Sequence, residues 1–144
     1  MKAISLWQPW ASALFTPLKP DETRHWPLPS RLIGQRMAIH AAKRDTREER
    51  GFWCDNVPGW DAEGEFAKIG IVCYDALPRG VILGTMIFDV VLPSEQARIL
   101  RTIEEETWGN YADGRYAWHR KDALLLPTPI PCVGQQGIFE WGPP

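Results

Sequence analysis

The residues best equipped for chemistry crowd into one short stretch: Lys19, Glu22, Arg24 and Trp26. On a regular strand Glu22, Arg24 and Trp26 share one face, with Thr23 and His25 on the other. An acid, a forked cation and an indole on one face can hydrogen-bond a base edge, hold a phosphate and stack on a flat ring. The same spacing also suits an Arg–Glu salt bridge above a core tryptophan. Just upstream, "LWQPWASAL" (6–14) sets two tryptophans around Gln8 and Pro9. The chain holds eight tryptophans in 144 residues. Tryptophan fills cores, but it is also the best stacking platform for a nucleobase.

The elements that must position these groups follow from periodicity and punctuation. "KAISL" (2–6) alternates and predicts a short strand. Pro9 suits the first position of a helix, and Trp10, Ala13 and Leu14 then recur at helical spacing until Pro17 and Pro20 stop it. "ETRHW" (22–26) predicts a second strand. "QRMAIHAAK" (35–43) predicts a third, with Met37, Ile39 and Ala41 on one face and Ala38, His40 and Ala42 on the other. "RDTREER" suits a helical turn or two, and the Gly/Pro/Trp-rich segment 51–64 reads as a loop, an insertion or a lid that exposes Trp53 and Trp60. Helical spacing is favoured over 65–77. "GVILGTMIFDVVLP" (80–93) is the strongest strand signal, and Gly84 within it predicts a bulge or a close backbone approach. "SEQARILRTIEEE" predicts a helix with Ser94 as its cap, and "GRYAWHR", "ALLLPTPIP" and "GIFEW" predict further strands.

Composition limits the function classes. The length fits one domain over residues 1–144, and 44% hydrophobic residues place it in the globular range. No stretch reaches the roughly 18 apolar residues of a membrane span, and "MKAISLWQPW" does not read as a secretory signal. Cys54, Cys73 and Cys132 are widely spaced with no C-x-x-C pair, so neither structural zinc nor a disulfide framework is expected, and a reducing, cytoplasmic setting is. His25, His40 and His119 lie far apart, and no metal or cofactor is expected. Phosphate-loop, dinucleotide-binding and nucleophile-elbow signatures are missing. The net charge of −2 argues against a polyanion binder held by charge alone. Yet residues 1–50 carry nine Lys/Arg against five Asp/Glu, whereas 51–144 carry seven against thirteen. The basic excess lies beside the Trp-Gln-Pro-Trp stretch.

Several spaced motifs, in order along nearly the whole chain, carry a resemblance. "ISLWQPWASAL", "KPDETRHW", "RMAIHAAK", "RGVILGTMIF", "GRYAWHR" and "QQGIFEW" together resemble the ASCH domain, a relative of the PUA fold. The resemblance implies an α+β fold: a small β-barrel of five or six mostly antiparallel strands, with short flanking helices and a central cleft. It implies as partner RNA, or a single-stranded or modified nucleic acid or nucleoside. The implied cleft is lined by the Gln-Pro-Trp turn, the Lys-Glu-Arg strand and the alanine-rich strand. Gln8, Trp10, Ala11, Lys19, Glu22, Arg24, Trp26, His40 and Ala41 would then bind the ligand, the alanines leaving room and one of Trp7 and Trp10 going to the core. A hydrolase is the alternative, either a ribonuclease or an amidohydrolase that deacylates modified cytidine. The amidohydrolase branch uses a lysine on the second strand, a threonine three positions later and a separate glutamate. Here Lys19 matches, but Glu22 stands at the threonine position and Thr23 falls one place off. Glu22 would instead serve as general base for a water with Lys19 holding an oxyanion, Asp89 being a candidate third member and His40 a candidate acid or base for RNA cleavage. A protein-interaction module using the 51–64 tryptophans is the third alternative.

Overall fold

The computed structural model describes residues 1–61 and 63–142, the side chains of 58–60 excepted. Its frame is a six-stranded sheet in the order β2-β5-β4-β3-β1-β6. The strands are β1 (Lys2–Leu6), β2 (Asp21–Arg24), β3 (Arg36–Ala41), β4 (Val81–Pro93), β5 (Tyr116–Pro131) and β6 (Ile138–Glu140). All neighbours pair antiparallel except β1 and β3, which run parallel. The sheet curls into a half-barrel with β2 and β6 as its two edges, so the expected barrel is open. Among the described residues five α-helices flank it, α2 the longest: α1 (Trp10–Ala13), α2 (Arg47–Trp60), α3 (Glu65–Lys68), α4 (Ser94–Ala97) and α5 (Ile103–Thr107). Among the described residues no helix is long and apolar enough to cross a membrane.

β3 is apolar along most of its length because both of its faces are covered. In β3, Met37 and Ile39 join Ile4, Leu14, Met86, Phe88 and Trp118 in the main core. Ala38, on the opposite face, packs with Ala3, Ile82 and Phe139. β4 curls against β5 through irregularities at Ile82/Gly84, Thr85/Ile87 and Phe88/Val90. The expectation for Gly84 holds: a Cβ there would run into the Leu124 carbonyl oxygen of β5. β5 carries Pro127 and Pro129 where its register with β4 skips 126–129, the stretch in which no ladder N–H is required.

Three expectations need correction. Residues 51–60 continue α2 and are not a loop. Thr46 caps that helix by accepting from the Glu49 N–H, and Glu48 and Glu49 sit at its positive end. Trp53 and Val57, four apart, are buried with Phe66, Tyr74, Leu77 and Trp108. That burial outweighs the roughly 1 kcal/mol helix cost of Gly51. Trp53 is therefore a core residue and no exposed anchor, while the Trp60 side chain lies outside the described residues. Residues 65–77 are not one helix. α3 stops at Gly70, whose left-handed backbone (φ 83°) lets its own N–H reach the Ala67 carbonyl and the Ile71 N–H reach that of Phe66. Only one 3-10 turn follows, at Tyr74–Ala76. Residues 94–106 are likewise broken. Arg101 is extended, because Asp21 holds its guanidinium at 2.7 and 2.8 Å, and Thr102 then starts α5 with a capping box to Glu105. Ser94 is the first residue of α4 and makes no side-chain cap.

Gly84→Ala should lower stability by roughly 1–3 kcal/mol, because backbone on the neighbouring strand has to move. A urea titration of the variant against the parent protein reads this as a lower midpoint with an unchanged slope.

Candidate ligand-binding cavity

A cavity of about 890 Å³, within the size range of ligand sites, opens beside the ends of three strands. The ends of β1, β2 and β3 form one wall, and residues 107–110 and 132–137 form the rest. Lys19, Arg24, Lys43 and Arg115 line it against a single carboxylate, Glu22.

Successive residues of β2 point to opposite sides of the sheet, and this decides which carboxylate enters the cavity. Asp21 turns away and is fully buried, accepting from Arg101 Nε and Nη2 and from the Tyr111 hydroxyl at 2.7 Å. Glu22 turns inward. Its Oε2 lies 3.2 Å from Arg24 Nε and its Oε1 3.9 Å from Lys19 Nζ. Arg24 also donates to the Ser5 carbonyl at 3.1 Å, across the open mouth of the half-barrel. The Lys19 ammonium is buried and donates to the Trp108 carbonyl. Loss of hydration pulls its pKa below the ordinary lysine range, opposed by Glu22 and Asp21 and reinforced by Arg115 and Arg24.

His40 closes the far wall. Its Nε2 lies 2.8 Å from the Cys132 carbonyl, which can only accept, so Nε2 carries the proton. Nδ1 then accepts from the Ser5 hydroxyl at 2.9 Å. Burial pushes the His40 pKa down, with the Cys132 contact opposing it. Gly134 lies against this imidazole so closely that a Cβ there would overlap the ring. Trp10 lines the cavity half-buried, its ring 4.4 Å from that of Phe52 and 5.9 Å from Lys19 Nζ.

The structure brings Trp10, Lys19, Glu22, Arg24 and His40 together around the cavity. The other expected ligand contacts lie elsewhere. Gln8 is fully buried and spends its amide on Ser12 and on the Pro78 carbonyl at 2.8 Å, so it braces the turn. The Gln8–Pro9 peptide is cis. Ala11 and Ala41 are fully buried in the core. Trp26 packs edge-on against Trp118 beneath the Arg24 guanidinium, the salt-bridge arrangement its spacing also allowed. Asp89 pairs with His119 at 2.9 Å and does not line the cavity. Arg115 lines the cavity with no local sequence signal for it, and Trp7, not among the expected ligand contacts, lines the cavity mouth and is 47% exposed. Among the described residues no group of three or more metal-ligating side chains is present.

The curled six-stranded sheet with its short helices matches the fold of solved ASCH proteins. The solved ASCH protein of Zymomonas mobilis is similar over 90% of this chain and 72% of its own, at 18% identity and a TM-score of 0.51. A serine-to-alanine variant of the Zymomonas mobilis ASCH protein is similar over 98% of this chain and 87% of its own, at 16% identity and a TM-score of 0.52. No protein-family model and no curated protein sequence matches the chain.

The His40 environment sets a pH dependence. The unfolded imidazole takes a proton near its ordinary value of 6.5, whereas the folded one resists until lower pH. Its contribution is therefore complete above 6.5 and is lost as pH falls below that value. The urea midpoint should drop between about pH 7.5 and about pH 5.5, and His40→Asn should flatten that drop.

Proposed function

We propose that the cavity seats one base of a single-stranded or modified nucleic acid, RNA first. One observation supports this above the others: four cations and a single carboxylate surround the hollow in a chain whose net charge is −2. The cationic excess is therefore local and tied to a concave site. Trp10 supplies an aromatic surface within it. Glu22 is an acceptor for an exocyclic amine, and Arg24 and Lys19 are donors for ring nitrogens or carbonyls. Lys43 and Arg115 have no carboxylate within ion-pair distance among the described residues. They are the groups left for phosphates.

The binding test is an anisotropy titration of a short single-stranded RNA over a range of salt. Two phosphate contacts give a slope of about −1.4, and Lys43→Ala or Arg115→Ala should each flatten it by about 0.7. Absence of binding, or a slope unmoved by both variants, removes the reading.

The Lys19–Glu22 pair supports a second reading, a hydrolase. A buried lysine with a lowered pKa, 3.9 Å from a carboxylate in a cavity, is a recurring catalytic arrangement. For an acylated base, water would add to the amide carbonyl while Glu22 takes its proton. The Lys19 ammonium would hold the oxyanion, and the C–N bond would break as the proton passes to the leaving amine. Mass spectrometry of acylated cytidine and of mixed RNA after incubation tests this. Turnover should vanish in both Lys19→Ala and Glu22→Gln while the melting transition persists, and a lack of product with the parent protein leaves a binder.

A further inference from the structure

Trp7 lines the cavity mouth and is too exposed for a core residue. Its chain neighbours Leu6 and Gln8 are 4% and 0% exposed, and Trp7 is 47%. The Arg44 guanidinium lies 3.6 Å from the centroid of its ring, covering one face. Arg44 is itself held. Its Nε donates to Glu49 Oε1 at 3.0 Å, and its carbonyl accepts from Arg79. Glu49 is buried in the first turn of α2. The stack is therefore fixed before any ligand arrives, and the rest of the indole faces solvent at the cavity mouth.

The strand ends add a cation at the same place. Leu6 and Ala41 are register partners, and the Ala42 N–H donates to the Leu6 carbonyl at 2.8 Å. Trp7 and Lys43 thus leave neighbouring strands at the same end. The Lys43 stem lies on Gly80, where a Cβ would collide with its Cγ and Cε. An open aromatic face, a backing guanidinium and an unpaired ammonium together match a nucleotide lying next to the one inside.

Resting on the reading of the cavity as a base site, we propose that Trp7, backed by Arg44, stacks the base flanking the one in the cavity, with Lys43 on the intervening phosphate. The ligand is then a single strand of two or more nucleotides, not a free nucleoside.

The test compares two probes, a single-stranded RNA of about six nucleotides and cytidine 5′-monophosphate, against the parent protein, Trp7→Ala and Trp7→Phe. Loss of one stacked base should lower the ratio of oligonucleotide to mononucleotide affinity by about tenfold in Trp7→Ala, and Trp7→Phe should restore most of it. Near-ultraviolet circular dichroism checks that the variants remain folded. An unchanged ratio in a folded Trp7→Ala protein that binds both probes overturns the flanking site and leaves the cavity reading standing. Binding of neither probe by the parent protein overturns the cavity reading and this one with it.

Discussion

The arrangement depends on Arg24 crossing a gap that no strand pairing covers. β2 and β1 are separated in the sheet by three other strands, yet the Arg24 guanidinium reaches the Ser5 carbonyl. Sheet twist brings the two strands into proximity, and this hydrogen bond spans the opening between them. Glu22 holds the guanidinium from one side and Trp26 supports it from below.

A cluster of buried charge is a poor source of net stability, since desolvation offsets much of the attraction. Its effect here is on geometry. Lys19 and Arg24 each donate to a backbone carbonyl and flank Glu22 at ion-pair distance, which restricts where each of the three can sit. The Asp21–Arg101–Tyr111 cluster does the same on the opposite side of β2, fixing the chain that leads into α5 and on to the Trp108 carbonyl beside Lys19. β2 is thereby clamped from both faces despite being an edge strand.

Much of this was legible in local pattern. β1 to β3 follow two-residue alternation and the Pro/Gly punctuation around it, β4 follows its long β-branched run, and Gly84 announced its close approach. Alternation also separated His40 and Ala42 from Ala41, so expecting both His40 and Ala41 at the ligand was inconsistent with the strand itself. Ala41 packs with Met37 and Ile39. The sequence was misleading where tertiary burial decides. The Gly- and Pro-containing segment after Arg50 is helical because Trp53 and Val57 find an aromatic cluster assembled from distant segments. Gln8 looked like a reader because its amide has donor and acceptor, but its partners are Ser12 and Pro78, the latter 70 positions away. Arg115 enters the cavity through carbonyls of Asn110 and Thr23, a placement no spacing rule encodes.

The alternation of Asp21 and Glu22 carries one more consequence. Two acidic residues of nearly equal chemistry stand side by side, one sealed against Arg101 and the other turned to the hollow. Loss of Pro20, or gain of a single residue between it and Asp21, would reverse their assignments, pressing the longer carboxylate toward the sealed side and drawing the shorter one toward the ligand. This short edge strand should therefore tolerate changes of side chain far better than changes of length.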